Sequence, residues 1–164
     1  MIGLAPSAMA QYGSKPTDVT VDQIAIKIGV MAPIDPTLRG VANQFIAAGL
    51  EYTFDQQFLP NSYTFLSAEW YGKSGSGGHG NLFPLTLNER FYFSAQRKQS
   101  MYVVGGVGAI FVDTGSSSDT SLALRGGVGL NLGPYIYTEL DGFVGTPASG
   151  VHPSGLALFL GYRF

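Results

Sequence analysis

The sequence predicts an all-β fold, an eight-stranded antiparallel up-and-down transmembrane β-barrel with meander topology. Three observations carry that prediction. Charged residues make up 12% of the chain and hydrophobic residues 45%, whereas soluble domains average about 25% charged. No stretch approaches the roughly 18 consecutive apolar residues that a membrane-spanning helix requires. Instead, large apolar side chains alternate with small or polar ones over runs of about ten residues, which is how a barrel spreads its lipid-facing surface along the chain.

Eight such runs follow one another from residue 21. They are Val21–Met31, Val41–Phe54, Ser62–Tyr71, Leu82–Phe93, Met101–Asp113, Thr120–Leu132, Tyr135–Val144 and Gly155–Phe164. Gly, Pro, Ser, Asn and Asp punctuate them, as turn chemistry demands. Connections two, four and six read "DQQFLPNS", "SAQRKQS" and a tight "GP" at Gly133–Pro134. Connections one, three, five and seven read "APIDPTLRG", "GKSGSGGHGN", "TGSSSD" and "GTPASGVHPS". Outer-membrane barrels place short turns at one rim and longer loops at the other, so the odd set is expected at the external rim.

The two faces of each strand identify the solvent. Ile24, Ile26, Ile28 and Val30 oppose Ala25, Lys27 and Gly29 in strand one, and Leu122, Leu124, Val128 and Leu130 oppose Ala123, Arg125, Gly127 and Gly129 in strand six. A soluble ligand-carrying barrel would turn its large apolar residues inward and spread charge outside. Here the polar face has too much Gly and Ala and too little charge to face water. Lipid is the solvent that suits the greasy face, and a narrow lumen suits the other.

With the polar faces inward, the lumen is expected to receive Lys27, Glu51, Glu69, Arg90, Arg125, Glu139, Asp141 and Arg163. Around the barrel their signs run plus, minus, minus, plus, plus, minus, minus, plus. Four cations against four carboxylates is the balance that a dry interior needs, since an unpaired buried charge costs several kcal/mol. Eight strands leave room for side chains and little else, which favours a plug over a pore. Glu89, in "LTLNERFYF", breaks the pattern, because it must face outward if Arg90 faces inward. A bulge, an interfacial depth or a protein–protein contact would each accommodate it. Tyr52, Phe54, Phe91, Phe93 and Tyr102 are expected to form an outward aromatic girdle at the short-turn rim, with Tyr162 and Phe164 beside them and Trp70 near the opposite rim.

Residues 1–20 stand apart from the barrel at 21–164. "MIGLAPSAMAQ" ends in small residues, like the cleavage region of a secretory signal, but lacks a basic start. A signal-peptide remnant and an ordered tail both remain open.

The strand set, the charged lumen and the terminal "LALFLGYRF" resemble the small eight-stranded outer-membrane barrels of the outer-membrane-protein A and X group, over about residues 21–164. The resemblance implies a bacterial outer-membrane location with surface loops, and outer-membrane lipid and the barrel-insertion machinery as partners. It also implies that Leu158, Leu160, Tyr162 and Phe164 form the insertion signal. Unlike some members of that group, the protein is not expected to carry a peptidoglycan-binding domain after the barrel. Some barrels of that size modify lipid A, and a hydrolase would need a serine activated by histidine and an acid. "VHPSG" offers His152 and Ser154, but Pro153 separates them and no acid follows. His79 sits among glycines as a loop residue. Two "GGVG" copies lack the strand–loop–helix context of a phosphate cradle.

No catalytic residue, metal site or cofactor is expected. Two histidines and no cysteine leave no credible transition-metal centre, and a formal net charge of −2 offers no basic field for nucleic acid. The expectation is a structural or interacting barrel without enzymatic activity. The alternatives are a self-assembling subunit that uses the N-terminal segment, a narrow channel, and a lipid A-modifying enzyme.

Overall fold

A computed structural model describes residues 23–55, 58–59, 62–75, 78–93, 100–115, 117–148 and 150–164. The expectations for residues 1–20 lie outside the described residues, whereas His79, expected in a loop, lies within a strand opposite Ser74 because the flanking strands pair beyond the predicted turn.

Eight strands form a closed barrel in which each pairs antiparallel with its sequence neighbours, and the last pairs with the first. They are β1 (Ile24–Pro33), β2 (Phe45–Thr53), β3 (Ser62–Gly75), β4 (Gly78–Tyr92), β5 (Met101–Asp113), β6 (Ser118–Asn131), β7 (Ile136–Gly145) and β8 (Ser154–Arg163). Closure between β1 and β8 sets Lys27 opposite Gly161 and Ile28 opposite Leu160. It leaves no open edge, the condition under which a strand structure can sit in lipid.

Two stretches differ from the sequence prediction. "GKSGSGGHGN" is largely strand, because β3 and β4 continue their pairing as far as Gly75 opposite Gly78. The first connection contains a six-residue helix, α1 (Pro36–Val41), where strand was expected to begin at Val41. Its signals are local: Asp35 caps it by accepting from the Leu38 N–H at 2.9 Å, and Pro36 supplies a preset φ in the first turn. Six residues are too few to show a helical period.

Side-chain alternation then sorts the barrel. Ile28, Ile46, Val107, Leu122, Leu124, Leu140, Leu158 and Leu160 are exposed on the outer wall. A continuous apolar belt of this kind would be an association hazard in water and is what hydrocarbon requires. The interior is layered. Towards the rim carrying α1, Met31, Leu38, Phe45, Tyr71, Phe143 and Phe159 belong to one buried apolar cluster. Towards the other rim, Ala25, Phe65, Tyr102, Val104 and Tyr137 form a second. A charged layer lies between them.

Candidate functional site: the lumen charge layer

Lys27 projects from β1 into the barrel because it alternates with Ile26 and Ile28 on the lipid face. Its Nζ lies 2.7 Å from Glu69 Oε1 and 2.9 Å from Glu51 Oε1, and contacts Glu139 Oε1 at 3.3 Å and Asp141 Oδ2 at 3.8 Å. Arg90 from β4 meets Glu51 at 2.7 Å and Glu139 at 3.4 Å. Arg125 from β6 joins Glu69 at 3.0 Å, and Glu139 and Asp141 each at 2.7 Å. All seven side chains are buried. Six strands therefore meet at one set of ion pairs, each charge facing at least one opposite charge.

Aromatic rings bound this layer. Lys27 Nζ lies 4.4 Å from the Phe159 ring centroid, and the Arg90 guanidinium 4.3 Å from that of Phe65. Such cation–π contacts add attraction where water is excluded. Tyr71 donates its hydroxyl to Glu69 Oε2, and Ser67 donates to Glu69 Oε1 at 2.9 Å.

Arg163 departs from the expected ladder. It lies at the C-terminal end of β8, half-buried, where it donates to Asn131 Oδ1 at 2.8 Å and lies 4.2 Å from the Tyr137 ring centroid. The layer thus joins three cations to four carboxylates, not four to four. The register explains the difference, since Arg163 pairs with Ala25 while Gly161 faces Lys27. Sign balance counted along the chain ignores that axial displacement.

Tyr102 also departs from expectation, because it points into the lumen and is fully buried instead of joining the girdle. Its ring fills the space above Gly129, its partner on β6, where any Cβ would collide. Tyr137 covers Gly161 in the same way. Alternation within "YVVGGVGAIF" could have shown it, since Tyr102 shares parity with Val104 and Ile110. Both "GGVG" copies lie inside strands β5 and β6.

The remaining girdle residues face outward. Tyr52 and Phe93 are exposed and Phe54 and Phe91 half-buried, with Tyr52 and Phe54 edge-to-face at 5.3 Å. In the terminal strand, Leu158, Leu160, Tyr162 and Phe164 all face outward, and Tyr162 meets Phe164 edge-to-face at 5.1 Å. Trp70 lies outside near the other rim and donates to Asn81 Oδ1 at 3.1 Å.

Glu89 faces outward on β4 opposite Thr64, and its carboxylate accepts from the hydroxyls of Ser62 and Thr64, the latter at 2.7 Å. Ser62 and Thr64 share strand parity with the exposed Leu66 but are themselves buried, a support that sequence alternation did not reveal.

A closed eight-stranded meander with an apolar outer wall and a charged, packed interior defines a class: the chain has the fold of the small eight-stranded outer-membrane β-barrels. No family model matches the sequence, and no curated protein matches it either. Among solved structures, it is similar to the N-terminal β-barrel domain of Pseudomonas aeruginosa OprF, at 14% identity and a TM-score of 0.56, covering 86% of this chain and 96% of that one. It is similar to Ail, the attachment invasion locus protein of Yersinia pestis, at 18% identity and a TM-score of 0.55, covering 86% and 97%. It is also similar to the outer membrane enzyme PagL, at 14% identity and a TM-score of 0.53, covering 85% and 98%. At these identities the likeness speaks to fold.

Proposed function

We propose that the chain is an integral protein of the bacterial outer membrane with a structural and interacting role, its lumen closed and its connections at the α1 rim turned to the cell surface. The carrying observation is the charge layer: Lys27, Arg90 and Arg125 are locked to carboxylates from β2, β3 and β7 between two apolar clusters. Ion passage would require breaking several buried pairs at once, which is strongly unfavourable. The outer wall commits the barrel to lipid, and Leu158, Leu160, Tyr162 and Phe164 present an alternating apolar face to the insertion machinery. Planar-bilayer recording of the purified barrel tests closure. Current should stay at background, and steps of single-channel conductance that vanish in Glu139→Gln would sink the closed reading in favour of the channel.

A role without catalysis is supported by the geometry at "VHPSG". Ser154 Oγ donates to the backbone carbonyl of its neighbour His152 at 3.1 Å, and Asp35 accepts from the His152 backbone N–H at 3.2 Å. Neither contact uses the imidazole, so no serine–histidine–acid relay is assembled there. Unchanged lipid A in cells expressing the protein is the expected result.

Glu89 favours a second reading, a subunit of an assembly of identical barrels. A carboxylate held by two hydroxyls on an otherwise apolar wall is a natural polar anchor between copies. Cross-linking in vesicles, lost in Glu89→Leu and on deletion of residues 1–15, would support assembly over the isolated barrel.

A further inference from the structure

The closed lumen has an outer seal built from two connections. Leu38 of α1 is 2% exposed and belongs to the same buried cluster as Ala148 and Val151 of the last connection. These connections are neighbours because they leave and enter the closing seam between β1 and β8, where the Ile34 N–H donates to the Ser154 carbonyl at 2.9 Å. One buried side chain ties them beyond that point. Asp35 Oδ1 accepts from the Leu38 N–H at 2.9 Å, and Asp35 Oδ2 accepts from the His152 N–H at 3.2 Å. A single carboxylate thus ends one connection's helix and holds the other connection against it.

We infer that Ile34–Ala42 is a releasable cap over the outer end of the lumen, with Asp35 as its latch and Leu38 as its plug. The inference goes beyond the closed-lumen reading by adding a moving part, and it rests on that reading for the resting state. The two apolar ends of the lumen differ in construction. Among the described residues, the outer seal includes side chains from connections, whereas Phe65, Tyr102, Val104 and Tyr137 at the other end come from strands. Short elements held by few contacts open at lower free energy than paired strands. Two hydrogen bonds to one carboxylate are the contacts whose loss would release this one. Opening would admit water to the outer side of the charge layer without breaking the barrel wall.

The sequence contains no cysteine, so one introduced thiol reports one place. Ala123 lies in the outer cluster and Ala25 in the inner one, each 4% exposed. The experiment measures modification of Ala123→Cys and Ala25→Cys by a charged methanethiosulfonate in the folded full chain, with and without Asp35→Asn. Asparagine keeps one acceptor, so it can serve Leu38 or His152 but not both. Asp35→Asn should speed modification at position 123 at least tenfold and change position 25 less than twofold. Equal rates at position 123 with and without the substitution would overturn the latch. So would equal acceleration at both positions, which means general loosening. If Asp35→Asn does not fold, Leu38→Ala carries the same expectation and is overturned by the same results. Rapid modification of Ala123→Cys with Asp35 intact would instead strike at the closed-lumen reading itself.

Discussion

The ring of Tyr102 lies over the backbone of Gly129, its partner on the adjacent strand, and occupies the place a side chain would take. The pair fills the end of the lumen away from α1 with a large ring and a bare backbone instead of two medium side chains. Gly129→Ala should therefore displace the ring and cost about 1–3 kcal/mol, the usual penalty of overpacking. Urea unfolding in detergent measures it. Tyr102→Phe keeps the ring and deletes a hydroxyl that has no hydrogen-bond partner here. It should change stability by less than about 1 kcal/mol, since removing an unsatisfied buried group leaves nothing orphaned.

Lys27 is the hub of the charge layer. Lys27→Met should destabilise the barrel by about 3–5 kcal/mol, because four carboxylates then face only two guanidinium groups. Adding Glu51→Gln should recover part of that loss, with a coupling of about 0.5–3 kcal/mol between the two sites. Strict additivity in the same unfolding series would mean that Glu51 and Lys27 do not act as a pair.

Glu89 tests what surrounds the outer wall. In a barrel wholly surrounded by lipid, Glu89→Leu should cost about 1–3 kcal/mol in vesicles whether or not copies associate, since it takes the acceptor from the buried hydroxyls of Ser62 and Thr64. A clear loss confined to conditions where copies associate would point to the assembly reading.

Phe164 separates address from architecture. Its side chain is exposed at the outer wall, with Tyr162 as its aromatic neighbour. Phe164→Ala should lower the yield of folded barrel in cells several-fold while leaving refolding into detergent nearly unchanged. Equal losses in both assays would assign Phe164 to packing alone.

Much of this was legible in the chain. Met101–Asp113 matches β5 at both ends, and most other strands differ by a few residues at an end. The inward placement of Lys27, Glu51, Glu69, Arg90, Arg125, Glu139 and Asp141 follows from alternation alone. So does the outward placement of Glu89, although its hydroxyl partners Ser62 and Thr64 lie about 25 residues away in sequence and had to be brought alongside. The α1 helix was missed because its evidence is a cap and a proline, which mark a start but promise no length.

What the sequence determined by itself was the number of strands, their order and which face of each meets lipid. Those properties depend on a two-residue period and on turn residues, both local. What only the tertiary structure decided was height along the barrel. Closing the sheet sets a stagger that the period cannot encode, and that stagger puts Arg163 opposite Ala25, below the charge layer, and Tyr102 over Gly129. It also brings Asp35 and His152, 117 residues apart, to one latch across the seam. A side chain's face is written in its neighbours along the chain, but its level, and so its partner, is written in the register of strands that meet only when the barrel closes.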